Sequence, residues 1–341
     1  MSAPETHHAS SRAHRFRRLM LVAALAATVA IPFLLGGRNT LAAASNIPAG
    51  GYAALFALIL TSWAARTLKL HQLLHRLKVP TSFRRAFGIS LATDLAFAAT
   101  PAGVGGYVAS IYYLRQAGTS GSGAATITAM DQGIDLVFFA LSVPLAALAL
   151  AGSGISQAVT IAALGGAALT SAFLVAIWLG RRRIVTLLAA PNTLSARWPR
   201  VAKAQRSLRA FVANMSAHLS SIIAAGPRFL FLMLGLTALQ WLSRYGVLWL
   251  TLLLLEHPVS FALAFLLQVV VLHAALWTGI PAGGGGAELG LTATLAPWIS
   301  PAEMATALIV WRATTLYTCL LAGSAAIVVL ARTSRRSIAP H

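Results

Sequence analysis

Residues 279–288 read Gly279-Ile280-Pro281-Ala282-Gly283-Gly284-Gly285-Gly286-Ala287-Glu288. They interrupt an apolar run over residues 258–300. In lipid, Pro and Gly break a helix there only if the freed backbone is buried in protein or lines a cavity. The same interruption recurs 180 residues earlier as Pro101-Ala102-Gly103-Val104-Gly105-Gly106, inside the run 86–113. The flanks repeat too. Trp63-Ala64-Ala65-Arg66 ends 35 residues before Pro101, and Trp241-Leu242-Ser243-Arg244 ends 37 before Pro281. Asp131 stands 30 residues after the first Pro and Arg312 stands 31 after the second. A duplication is therefore expected, with one broken helix in each half.

Composition sets the solvent. Of 341 residues, 58% are apolar and 10% are charged, where a soluble domain carries about 25% charged residues. The chain belongs in a bilayer, with length for about six to eight spans. Further apolar runs fall at 19–36, 50–65, 124–150, 156–180, 227–255 and 303–331. If both broken segments turn back to the side they entered from, every Lys and Arg other than Arg38, Arg244 and Arg312 falls on one face, with both termini. The positive-inside rule makes that face cytoplasmic. Were residues 86–113 to cross, the basic stretch 181–209 would lie outside.

The expected fold is an all-α polytopic membrane protein with about six full transmembrane helices and two re-entrant broken segments. Its halves then have opposite orientation, an inverted-topology repeat of the kind that binds substrate near the bilayer midplane. The expected organisation is a basic cytoplasmic tail (1–18), a first membrane repeat (19–152), a second (153–331) and a basic tail (332–341), in a bacterial-type inner membrane. Two alternatives accompany it. Arg15–Arg18, the following apolar stretch and Ala42-Ala43-Ala44 also resemble a cleaved signal peptide, although the duplication needs that first span. The Pro-Gly segments also read as loops that let helices pack closely.

A net charge of +19 suggests nucleic acid in a soluble protein; in a membrane protein it marks orienting loops that meet anionic headgroups, and no nucleic-acid partner is expected. Residues 181–221, with Trp198 and Phe211, read as a basic amphipathic segment along the inner leaflet, and Arg76, Lys78, Arg84 and Arg85 read alike. The single Cys319 rules out a disulfide framework. His71 and His75 lack a nearby carboxylate, so neither metal nor cofactor is expected.

Four acids fall inside apolar segments: Asp94, Asp131, Asp135 and Glu288. Each costs roughly 2.5–3.5 kcal/mol in a membrane and together they cost on the order of 10 kcal/mol, as much as the whole stability of many proteins. They must be paired, protonated or hydrated, and Arg244 and Arg312 are the expected partners. Asp131, Gln132 and Asp135 form a polar stripe on one helix. Structural ion pairs are one reading; a polar cavity for a charged or zwitterionic headgroup is the other. Backbone amides of the Gly-rich turns, at Pro101, Gly103, Gly105 and Gly106 and at Pro281, Gly283, Gly284, Gly285 and Gly286, then offer an anion-binding nest. Neither turn is a nucleotide loop, because no Gly-Lys-Ser/Thr follows.

Pro101-x-Gly103-x-Gly105-Gly106 with Tyr112-Tyr113-Leu114-Arg115-x-x-Gly118, and Pro281-x-Gly283-Gly284-x-Gly286-x-Glu288 with Trp311-Arg312, resemble the integral-membrane domain of the lysylphosphatidylglycerol synthase/flippase family. The resemblance covers residues from about 50 to 331 and takes in the family's stand-alone members, which lack a synthase domain. It implies a protein that moves a lipid between leaflets, with Glu288, Arg312, Asp131 and the Gly turns as site residues. The substrate class it implies is a phospholipid, hopanoid, polyprenyl lipid or glycolipid. Family members often place an acid followed by Arg in the span after the first Gly motif, whereas Gln132 follows Asp131 here. Synthase relatives carry a large soluble C-terminal domain; with nine residues after Arg332, aminoacyl transfer is not expected. No Ser/His or Cys/His constellation suggests an enzyme. The alternatives are an intramembrane enzyme or scaffold in lipid or lipid-linked glycan biosynthesis, and a small-solute transporter.

Overall fold

The computed structural model describes residues 5–37, 39–150, 157–189 and 199–336, and all regular elements among them are helical. In chain order these are α1 (Glu5–Gly36), α2 (Asn39–Ser45), α3 (Ala49–Arg76), α4 (Phe83–Ala99), α5 (Val104–Gln116), α6 (Gly121–Ala149), α7 (Gln157–Ala189), α8 (Pro199–Ile223), α9 (Pro227–Leu254), α10 (Phe261–Trp277), α11 (Gly286–Leu295), α12 (Pro301–Arg312) and α13 (Thr318–Arg336). Single 3-10 turns, Pro101–Gly103 and Pro281–Gly283, sit between α4 and α5 and between α10 and α11. A π-helical turn, Ala313–Tyr317, joins α12 to α13.

Among the described residues, helices long and apolar enough to cross a bilayer are Leu19–Gly36, Ala49–Arg76, Gly121–Ala149 and Pro301–Thr333. A fifth candidate is the pair Gln205–Ile223 and Pro227–Leu254, bent by 93°. The bend has a local cause: Gly226 takes φ 89°, the left-handed end of one helix, and Pro227 opens the next with its φ already set. The apolar run at 156–180 falls in α7 (Gln157–Ala189), apart from residue 156. Large apolar side chains point outward on these helices, among them Leu60, Leu145, Phe173 and Leu321, a surface suited to lipid rather than water. The chain is a polytopic membrane protein.

The expected basic amphipathic segment divides. Arg181–Arg183 continue α7, residues 190–198 with Trp198 and Arg197 lie outside the described residues, and α8 carries Arg200, Lys203, Arg206 and Arg209.

Two compact units emerge. Unit 1 comprises Met1–Thr61, Leu91–Val108 and Leu242–Val328; unit 2 comprises Ser62–Ser90, Ala109–Trp241 and Val329–His341. In unit 1, α1 packs on α12, on α11 and on the second 3-10 turn. Thr28 Oγ1 and Tyr317 Oη lie 2.5 Å apart, and a Cβ on Gly284 would lie 2.6 Å from the Ala24 carbonyl oxygen. The first span is thus built into the packing around the Gly-rich turn. In unit 2, α6 packs on α7 and α8, over a core of Leu73, Leu74, Leu114, Ile127, Ile222 and Met233.

Both broken segments double back. The rings of Phe97 and Tyr107 meet edge-on at 5.0 Å, whereas ten residues of straight helix would separate them by about 15 Å. Gly103, Gly105 and Gly106 leave room for this, since a Cβ on each would press on Phe97 or Thr100. In the second segment a Cβ on Gly290 would stand 2.7 Å from Val271 Cγ1, residues about 28 Å apart on a straight helix. Helices α10 and α11 therefore pack as a hairpin.

Candidate functional site

The two Pro-Ala-Gly turns share one backbone. Ala102 has φ 51° and ψ 17°, and Ala282 has φ 54° and ψ 13°. Each is a left-handed alanine, a conformation costing about 1–2 kcal/mol, and each precedes a glycine of positive φ, Gly103 at 70° and Gly283 at 62°. Equal strain at equal motif positions makes the turns structural counterparts. They touch each other in unit 1.

Their amides are largely engaged from within. In the first turn Gly103 N donates to Thr100 O, Val104 N to Pro101 O, and Gly105 N to Thr100 Oγ1 at 2.9 Å. In the second, Gly283 N donates to Ile280 O, Gly284 N to Pro281 O, and Gly285 N to Glu288 Oε2 at 2.8 Å. The nest expected from the glycines thus already has acceptors in the chain itself. A hydroxyl caps one tip and a carboxylate caps the other.

Glu288 is fully buried, and its second oxygen accepts from Arg312 Nε at 2.5 Å. Arg312 is 4% exposed, lies with Cζ 4.5 Å from the Trp311 ring centroid, and sends Nη1 toward Ala282 O at 3.4 Å. Its Nη2 has no hydrogen-bond partner among the described residues. A buried charged donor left unpaired costs at least about 1–3 kcal/mol and calls for an explanation. The π-helical turn begins at the next residue, and such turns concentrate at functional sites. Asp94 and Arg244, also in unit 1, pair at 3.7 Å.

Unit 2 holds the other two acids. Lys69 Nζ lies 2.7 Å from Asp131 Oδ1 and 2.7 Å from Asp135 Oδ1, Arg66 Nη2 lies 3.6 Å from Asp131 Oδ2, and Gln132 Nε2 donates to Asp131 Oδ2 at 3.4 Å. This corrects the sequence expectation, in which Arg244 and Arg312 are the partners of the buried acids and Arg66 and Lys69 are counted only as charge on the cytoplasmic face. Helix α3 runs on to Arg76, so Arg66 and Lys69 share its face one turn apart. Lys69 is fully buried. The signal was the i,i+3 cation spacing matched to the i,i+4 spacing of Asp131 and Asp135. Of the expected site residues, the two turns, Glu288, Arg312, Asp94 and Arg244 fall in unit 1, and Asp131, Gln132 and Asp135 fall in unit 2. Among the described residues no group of three His, Cys, Asp or Glu is placed to hold a metal; His71 instead packs near Phe83, ring centroids 6.1 Å apart.

Residues 20–323 match the transmembrane region of lysylphosphatidylglycerol synthase. The chain belongs to that family. The match takes in the first span, both Pro-Gly turns and both ion clusters, a longer reach than the motifs alone indicate. No curated protein matches the chain. The family is a membrane domain related to lipid metabolism, so a membrane lipid-related function stands.

Proposed function

We propose that the protein is a lipid flippase of the inner membrane, with both termini cytoplasmic, six full spans and two re-entrant hairpins arranged as an inverted repeat. The headgroup binds at the two Pro-Ala-Gly tips, and the repeats move to expose it to each leaflet in turn. The observation that carries this reading is Arg312. A guanidinium buried beside the second tip, its charge balanced by Glu288 and one nitrogen unpartnered, is a preformed donor for a headgroup oxygen.

The substrate is a phospholipid, hopanoid, polyprenyl lipid or glycolipid, and the protein itself performs no chemistry on it. Asp94 and Arg244 line the same route. The basic residues of α8 and of residues 76–85 gather anionic headgroups at the cytoplasmic face. Unlike residues of a scaffold, the buried charges would then matter to function.

Leaflet exchange of headgroup-labelled lipids in proteoliposomes tests the proposal. Exchange above that of empty vesicles is expected for at least one lipid class. Folded protein that moves none of the four classes would contradict it.

A further inference from the structure

The cluster in unit 2 is a second ionic site that the headgroup reading leaves without a task. Lys69 and Arg66 face Asp131 and Asp135, so with all four ionised the cluster is neutral. The carboxylates are not equivalent. Asp131 is approached by Lys69 at 2.7 Å, by Arg66 at 3.6 Å and by the Gln132 amide at 3.4 Å. Among the described residues, Asp135 has an ion pair with Lys69 alone, and shares that ammonium with Asp131.

We infer that Asp135 is a proton-binding site, and that one proton taken up there releases one of the two ties by which Lys69 on α3 holds α6. The proton adds to a carboxylate oxygen from water, and the Asp135 side chain becomes a neutral acid. The cluster goes from neutral to +1, and Lys69 keeps Asp131, which Arg66 also approaches. The side chains of Asp131 and Asp135 are 16% and 10% exposed and that of Arg66 is 12% exposed, whereas Lys69 is sealed at 0%.

Besides α3, the helices in contact with α6 are α5, through Ser110 and Thr128, α7, α8, and α9, through Phe139 and Trp241; in unit 2, α5 carries Tyr112, Tyr113 and Arg115, and α9 carries Arg228. On α7 the ionisable residues are Arg181, Arg182 and Arg183, in its final third. On α8 they are Arg200, Lys203, Arg206, Arg209 and His218, and His218 stands over Gly123, about 12 Å along α6 from Asp131. His71, His75 and Arg76 occupy the following turns of α3. None of these is a carboxylate, and among the described residues the acids that Lys69 meets are Asp131 and Asp135.

For transport this inference rests on the flippase reading, but its test does not. Full-length protein in nanodiscs is titrated between about pH 8 and pH 5, the range open to a buried carboxyl, and the protonated-carboxylic-acid band is followed by infrared difference spectroscopy. One such band is expected to grow in the wild type, to vanish in Asp135→Asn, and to survive in Glu288→Gln and Asp94→Asn. Asn is nearly isosteric with Asp, and thermal melting of the variant confirms that it is folded. No band in the wild type, or a band unchanged in folded Asp135→Asn, would overturn the assignment. In the exchange assay the pH dependence of the wild type should flatten in Asp135→Asn; a flat wild-type profile beside a clear band would remove coupling to transport and leave the proton site standing.

Discussion

In unit 1 Glu288 and Arg312 meet one to one, whereas in unit 2 two cations meet two carboxylates around the ammonium of Lys69. Both clusters are charge-balanced, yet they leave different chemistry behind. The guanidinium of Arg312 gives Nε to Glu288 and Nη1 toward the Ala282 carbonyl, and its Nη2 is left over. Lys69 is committed to two partners at 2.7 Å each. A planar fork with a spare tine suits an incoming headgroup; a shared point charge between two acids suits a tie that one proton loosens. Charge balance alone therefore does not separate a binding site from a clamp, while the count of unmet donors does.

The largest effects should come from removing one partner. Glu288→Ala strips Arg312 of its counter-charge and α11 of its cap, and Lys69→Ala leaves Asp131 and Asp135 facing each other beside Arg66. Each should cost about 3–5 kcal/mol, measured as thermal unfolding in detergent. A mild Lys69→Ala beside a severe Glu288→Ala would break the symmetry and make the unit 2 cluster a surface feature. Neutral replacement of whole clusters sharpens the contrast. Glu288→Gln with Arg312→Met, and Lys69→Met and Arg66→Gln with Asp131→Asn and Asp135→Asn, should each regain most of that stability. Lipid exchange should stay lost in the first and persist in the second without its pH dependence.

The turns supply smaller tests. Gly284→Ala pushes a methyl against the Ala24 backbone and should cost about 1–3 kcal/mol, whereas Thr100→Ala removes only the hydroxyl acceptor of Gly105 N, about 1 kcal/mol. The smallest effect tests the equivalence of the tips directly. Ala102→Gly and Ala282→Gly each relieve a left-handed alanine and should stabilise by up to about 1 kcal/mol, by similar amounts. Unequal gains would mean that the two turns share a shape but not a strain.

Much of this was legible in the sequence because Pro and Gly act locally: the repeated Pro-Ala-Gly predicts a break, and the break is there twice with one geometry. The Glu288–Arg312 pair was legible from the cost of a lone charge in lipid, as was Asp94–Arg244. Lys69 was not, since a lysine near the end of an apolar run reads as loop charge until the helix is known to continue to Arg76. The engagement of the glycine amides was hidden as well, because it depends on where Thr100 and Glu288 fold back. The 93° bend at Gly226-Pro227 was hidden too, because composition marks α9 as apolar without showing how its start meets α8.

In the flippase reading, the spare nitrogen of Arg312 holds a lipid headgroup. Native mass spectrometry of the purified protein, wild type against Arg312→Lys, tests it most directly, because lysine keeps the charge and lacks the fork. Co-purified lipid on the wild type that is lost from a folded Arg312→Lys is the predicted result. Equal lipid occupancy in the two proteins would contradict the account.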